Sequence, residues 1–284
     1  MERLKVGGVQ LTWLRGGAFQ MDGGAMFGVV PKALWSKKYP VNEKNQIPQY
    51  NSPILVEASG KKILIDTGVG SGKLSEKQKR NFGCLAEGEI EESLRELNLT
   101  VRDIDYVLLT HMHFDHAGGL TKPVAEDEYE PVFPNAEIVV SEPEWAENTK
   151  PNMRSRNTYW KQNWEAARDQ VSTFVKSREV VPEVKIIHTG GHSQGHSIIV
   201  IKSGEDMAIH MGDLMATNAH FYHLWVMAYD DYPMESIYLK KDWNEEGILN
   251  NAWFTFYHDT IYSAAKWDKE GNITSVVERK KQLR

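Results

Sequence analysis

Four potential metal ligands crowd into six residues of the segment Thr110-His111-Met112-His113-Phe114-Asp115-His116-Ala117-Gly118-Gly119, and no other stretch constrains the fold as strongly. The segment follows Tyr106-Val-Leu-Leu-Thr110, a continuous apolar run of the kind that forms a buried strand. His111 and His113 lie two apart, so an extended backbone projects them the same way. Asp115 and His116 follow in a turn, where they can face a second ion. Gly118 and Gly119 let the chain turn tightly behind them. Imidazole nitrogen and carboxylate oxygen suit Zn²⁺ and neighbouring divalent ions. A single strand-end histidine is ordinarily a packed core residue, but three with an aspartate at this density point to a metal site.

Composition narrows the kind of site. Ten His stand against one Cys, Cys84, which excludes an internal disulfide and a Cys-rich structural zinc site. Lys and Arg total 33 against 39 Asp and Glu, a net charge of −6 that argues against a nucleic-acid or anionic-membrane partner. No apolar run reaches the roughly 20 residues of a membrane helix. Met1 to Gly17 alternates apolar and polar residues without a signal-peptide core, which reads as a strand in a cytoplasmic protein. No linker or repeat breaks the chain, so a single domain over 1–284 is expected.

Strands are expected at Leu4–Leu14, Ile54–Ala58, Lys62–Ile65, Tyr106–Thr110 and Ala136–Val140, with Ser59-Gly60 as a hairpin turn. Further strands are expected at Val184–His188, Ser197–Ile201, Met207–His210 and Thr255–His258. Met26–Val30 reads as a short apolar run among the strands, and Pro31–Ser52 as an excursion over the surface. Glu87–Leu97 and the Trp-rich stretch Glu142–Phe174 read as helical. Strands flanking helices in both halves suggest a layered α/β architecture.

Three more segments place His or Asp at a strand's C-terminal end, where loops converge on one cavity. They are Gly190-Gly-His192-Ser193-Gln-Gly-His196, Met211-Gly-Asp213 and Phe256-Tyr-His258-Asp259. In this order, and with Ile65-Asp66-Thr67-Gly68, the four motifs resemble the metallo-β-lactamase superfamily over most of the chain. The resemblance implies a four-layer αββα sandwich with the site at one edge, between two sheets. It implies His111, His113 and His192 on a first metal, Asp115, His116 and His258 on a second, and Asp213 bridging both. His196 and Asp66 would lie behind the ligands and orient them.

Branches of the superfamily separate on these positions. Zinc β-lactamases proper lack the bridging Asp, and flavo-diiron proteins carry Glu at the place of His113. Glyoxalase II enzymes append a helical region after the late His, whereas 284 − 258 = 26 residues follow His258 here. RNA-processing members need basic surface. What remains is the branch of N-acyl homoserine lactonases and methyl parathion hydrolases. Asp22–Pro31, Leu224–Pro233 and Ala252–Asp259 resemble the YtnP-type quorum-quenching lactonases within it.

The implied enzyme is a dinuclear metal-dependent hydrolase that opens lactone rings, foremost those of N-acyl homoserine lactones. A metal-bridging hydroxide would attack the carbonyl, and Asp115 would pass a proton to the leaving alkoxide, making Asp115 and Asp213 catalytic. The cofactors would be two divalent ions per chain, Zn²⁺ first, with Co²⁺, Mn²⁺ or Fe²⁺ as substitutes. The partner would be a small lactone, and the resemblance implies a homodimer. The small lactonases carry a Tyr three residues after the bridging Asp; this chain has Ala216, so either the metal alone holds the lactone or another group orients the carbonyl, with Tyr222, His223 and Tyr229 as candidates. Met26, Phe27, Phe221, Tyr222 and Trp225 are candidate walls for an acyl chain. The alternatives are a phosphotriesterase or arylesterase of the methyl parathion hydrolase type and a non-catalytic metal-binding module. Gly68–Gly72 reads as a plain loop, Ser193 lacks a nucleophile elbow, Cys84 reads as a bystander, and Arg279-Lys-Lys281 reads as a solvated tail.

Overall fold

Period-two alternation assembles the first sheet. In the hairpin Ile54–Ala58 and Lys61–Ile65, Ile54, Val56, Ile63 and Ile65 face one side while Leu55 and Leu64 face the other. Apolar residues on both faces demand cover on both faces. The computed structural model describes residues 1–280 and shows how that demand is met.

The first sheet has seven strands, in the spatial order Arg3–Val6, Val9–Trp13, Ile54–Ala58, Lys61–Ile65, Tyr106–Leu108, Glu137–Ser141 and Val171–Phe174. It is antiparallel up to Lys61–Ile65 and parallel beyond it. The second sheet also has seven, from Ser177–Val181 through Val184–His188, Ser197–Ser203, Asp206–His210, Trp253–Thr255 and Tyr262–Trp267 to Ile273–Glu278. Its one parallel pair, Asp206–His210 with Trp253–Thr255, is joined through the helix Pro233–Leu249.

The sheets face each other across one apolar cluster, with Leu11, Trp13, Leu108 and Val139 meeting Ile186, Ile199, Ile201 and Ala264. Ile90, Leu94, Tyr159 and Trp164 cover the outer face of the first sheet. Leu239, Trp243 and Ile248 of the long helix cover that of the second. The fold is the expected four-layer αββα sandwich. No helix among the described residues is long and apolar enough to cross a membrane.

Several elements differ from the sequence expectations. Met26–Val30 is not extended: Gly23–Phe27 is a helical turn capped by the Asp22 side chain and ended at Gly28, with φ of 56°. Pro31–Ser52 is no surface excursion. It contains the helix Lys32–Trp35 and the strand Gln46–Asn51, and it buries Trp35, Tyr39 and Ile47. That strand is the edge of a three-stranded sheet with Gly17–Asp22 and Cys84–Ala86, where Pro48 is tolerated. The helix beginning at Glu142 stops at Thr149, just before Pro151, and short turns then lead into the strand Val171–Phe174. Arg279 is not solvated: it is buried and donates to the carbonyls of Asp259 and Phe256, while Lys281 lies outside the described residues.

Candidate metal centre

Every metal-site residue predicted from the sequence arrives at one edge of the two sheets. The strand Tyr106–Leu108 delivers His111, and His113 caps the short helix Phe114–Ala117 that carries Asp115 and His116. His192, Asp213 and His258 come from loops that follow strands of the second sheet. Gly119 is required by close approach, since a Cβ there would lie 2.1 Å from the Thr67 carbonyl oxygen. Gly118 has φ of −60°, so proximity and not a left-handed backbone explains this glycine pair.

The donors form three overlapping groups: His111 with His113 and His192, His111 with His116 and Asp213, and Asp115 with His116 and His258. In the first, His113 Nδ1 faces His192 Nε2 at 3.1 Å. In the last, His116 Nε2 faces His258 Nε2 at 3.2 Å. Asp213 reaches both sides. Its Oδ2 lies 3.4 Å from His192 Nε2 and 4.0 Å from His111 Nε2. Its Oδ1 lies 3.3 Å from His116 Nε2 and 3.3 Å from His258 Nε2.

The outward ring nitrogens are held from behind. His116 Nδ1 bonds Asp66 Oδ2 at 2.9 Å, His192 Nδ1 bonds Asp230 Oδ1 at 2.8 Å, and His258 Nδ1 bonds the Tyr50 carbonyl at 3.1 Å. His111 Nδ1 meets Thr110 Oγ1, which donates to Asp66 Oδ2. Asp66 therefore orients a histidine of each group, from a left-handed backbone with φ of 54°. His196 Nε2 accepts from the backbone N–H of Asp213 at 3.1 Å. With Nδ1–H donated outward, the inward Nε2 atoms of His111, His116, His192 and His258 would present lone pairs once the rings are neutral, as cation binding requires.

Such a convergence fits a cation. His111 Nε2 and Asp213 Oδ1 are buried without a hydrogen-bond partner, which is costly unless an ion completes them. Burial, with the His116, His113 and His192 rings, holds the His111 imidazole well below its ordinary range, and burial with His192 does the same for His113. Burial opposes charge on His116 too, but the Asp213, Asp115 and Asp66 carboxylates raise it well above the ordinary range. The Asp213 carboxyl stays well below its usual value despite burial, because His116, His258 and His192 surround it. An all-nitrogen-and-oxygen donor set of this kind suits divalent metals.

A cavity of about 250 Å³ opens onto His113, Asp115, His192, Asp213 and His258. Met26 lines it, but the other four expected wall residues do not. Phe27 is fully buried between Trp35 and His220, with ring centroids 5.4 and 5.0 Å away. Phe221 stacks on Trp267 at 4.1 Å over the second sheet. Trp225 packs edge-on against Phe27, and Tyr222 leans on Trp225 with half its surface exposed. Ring pairs of this kind add about 0.5–1.5 kcal/mol beyond the area they bury, which favours these contacts over a cavity wall. Phe19, Met21, Phe114 and Met227 supply the apolar wall instead, and Tyr229 lines it as well.

Two residues behind the donors carried no sequence signal as site residues: Asp230 behind His192, and Glu144, which binds both histidine loops. Asp230 stands in a Tyr-Asp-Asp-Tyr run that spacing alone does not distinguish from a polar turn. Ser193 is not free for chemistry, since its hydroxyl donates to Glu144 at 2.6 Å.

With the sandwich and this donor arrangement in view, the chain belongs to the metallo-beta-lactamase superfamily, whose sequence pattern it matches over residues 47–233. It is 48% identical to a probable metal-dependent hydrolase from Staphylococcus aureus, with a TM-score of 0.95 over 99% of this chain and 100% of that one. It is 27% identical to an N-acyl homoserine lactonase of Bacillus thuringiensis over 171 residues. That match covers 55% of this chain and 59% of the lactonase, just over half its length. AidC, a dizinc quorum-quenching lactonase, shares the fold at a TM-score of 0.79 and 17% identity, over 99% of this chain and 97% of AidC.

Proposed function

We propose that this chain is a dinuclear metal-dependent hydrolase that opens the ring of N-acyl homoserine lactones. The observation that carries the reading is Asp213, whose two oxygens face separate imidazole groups at the floor of an apolar-walled cavity. His111, His113 and His192 would hold one ion, Asp115, His116 and His258 the other, and Asp213 both. Bound there, the ions would polarise the substrate carbonyl and lower the pKa of water towards neutrality.

The chain's own residues supply the rest. The Asp115 side chain is 22% exposed, and its Oδ2 lies 3.6 Å from His258 Nε2, a position from which it can hand a proton to the departing ring oxygen. Ala216, fully buried, offers no hydroxyl for the carbonyl. Tyr229 can offer one: burial, with Asp22 and Asp115, pushes its phenol up to about 12, so it keeps its proton at neutral pH and can donate. Phe19, Met21, Met26 and Met227 form an apolar wall suited to an acyl chain.

A phosphotriester would place its negative charge beside the same two groups, so substrate comparison is the test. Metal-loaded enzyme should hydrolyse N-hexanoyl homoserine lactone with a kcat/KM on the order of 100-fold above that for paraoxon. A reversed ratio would make the chain a phosphotriesterase. No turnover of either by the metal-loaded protein would remove both the lactonase and the phosphotriesterase readings.

A further inference from the structure

One wall of the cavity is the face of the small three-stranded sheet. Phe19 pairs across the strands with Gln49, and Gly17 with Asn51. Cross-strand partners share a face, as do residues two apart, so Phe19, Met21, Gln49 and Asn51 lie together, and all four line the cavity. The strand Gln46–Asn51 is fastened to the donors. Tyr50 exchanges two hydrogen bonds with His258, N–H to carbonyl at 3.3 Å and carbonyl to Nδ1 at 3.1 Å. Asn51 Nδ2 donates to the Asp115 carbonyl at 3.1 Å.

Between these anchors, Gln49 is only 3% exposed, and its Nε2 has no hydrogen-bond partner. A buried amide donor left unpaired is disfavoured, and Phe19 and Met21 on the same sheet face offer it at most a weak thioether acceptor. Rotation about the terminal carboxamide bond is soft, so the donor can turn to a group that enters the cavity.

We infer that Gln49 donates a hydrogen bond to the amide carbonyl of the substrate's acyl chain, and that it selects N-acylated lactones over lactones without an amide. The inference rests on the lactonase reading above. In an N-acylated lactone the amide is attached beside the ring carbonyl. With the ring at the donor cluster and the chain along the methionines, the amide falls beside Gln49.

The test compares N-hexanoyl homoserine lactone with an α-alkyl lactone of equal length whose amide is replaced by methylenes. Each kcat/KM is divided by that substrate's rate of alkaline hydrolysis, which removes the intrinsic activation by the amide. The wild-type ratio should favour the amide on the order of tenfold, and Gln49→Met should erase about that factor. A Gln49→Met ratio within about twofold of wild type would overturn the assignment. If that variant does not fold, the wild-type ratio decides, and a value below about twofold overturns it. Failure of metal-loaded wild type to open either lactone would instead remove the lactonase reading, and the role of Gln49 with it.

Discussion

Asp213→Ala should lower kcat/KM for N-acyl homoserine lactone opening by about 10³-fold and cut the metal content of the purified chain. Among the described residues, Asp213 is the one side chain whose oxygens face both imidazole groups, at 3.3 to 4.0 Å from four ring nitrogens. Its removal takes the carboxylate away from all four rings and leaves Asp115, 3.9 Å from His116 Nε2 and 3.6 Å from His258 Nε2, as a counter-charge on one side of the centre alone. A catalytic metal supplies several kcal/mol of transition-state stabilisation, and about 4 kcal/mol corresponds to about 10³ in rate. Steady-state kinetics together with elemental analysis of the variant check this. A variant that kept both its rate and its metal would reduce Asp213 to a bystander.

Glu144→Ala should produce the largest loss of stability among the residues around the centre. Glu144 is fully buried. Its Oε1 accepts from the Met112 N–H at 2.7 Å and the Tyr159 hydroxyl at 2.8 Å, and its Oε2 accepts from Ser193 at 2.6 Å. Met112 stands between His111 and His113, and Ser193 follows His192, so one carboxylate fixes both loops of the first donor group. Truncation strands three buried donors, and breaking such a network costs about 3–5 kcal/mol. In a chain of this size that lowers Tm by about 10 °C. The loosened histidines should also weaken metal binding by about 10–100-fold. Thermal unfolding and a metal titration measure the two effects, and a Tm within about 2 °C of wild type would show that the network is dispensable.

The sequence exposed the donor set because its chemistry is local. His111, His113, Asp115 and His116 sit within six residues, and the later donors follow strand-like runs in a recognisable order. Continuous apolar runs likewise revealed central strands such as Tyr106–Leu108 and Glu137–Ser141. Residues that act across the fold were not legible. Glu144 reaches the Met112 N–H 32 positions away and Asp230 reaches His192 38 positions away, and nothing in their neighbours marks either contact. The strand Gln46–Asn51 was hidden by its own composition, since Gln, Pro and Asn disfavour strands and read as loop. The aromatic residues misled for the opposite reason. Phe27 and Phe221 look like pocket walls by type, but stacking on Trp35 and Trp267 commits them to the core. Arg279 looked solvated at the start of a basic run, yet backbone carbonyls of the second sheet's loops claim its guanidinium.

Stepwise addition of Zn²⁺ to metal-free protein, with ring opening of N-hexanoyl homoserine lactone followed at each step, tests the two-ion centre most directly. Activity should be absent at the start and climb to a plateau at two ions per chain. A plateau at one ion per chain, or turnover by the metal-free protein, would contradict it.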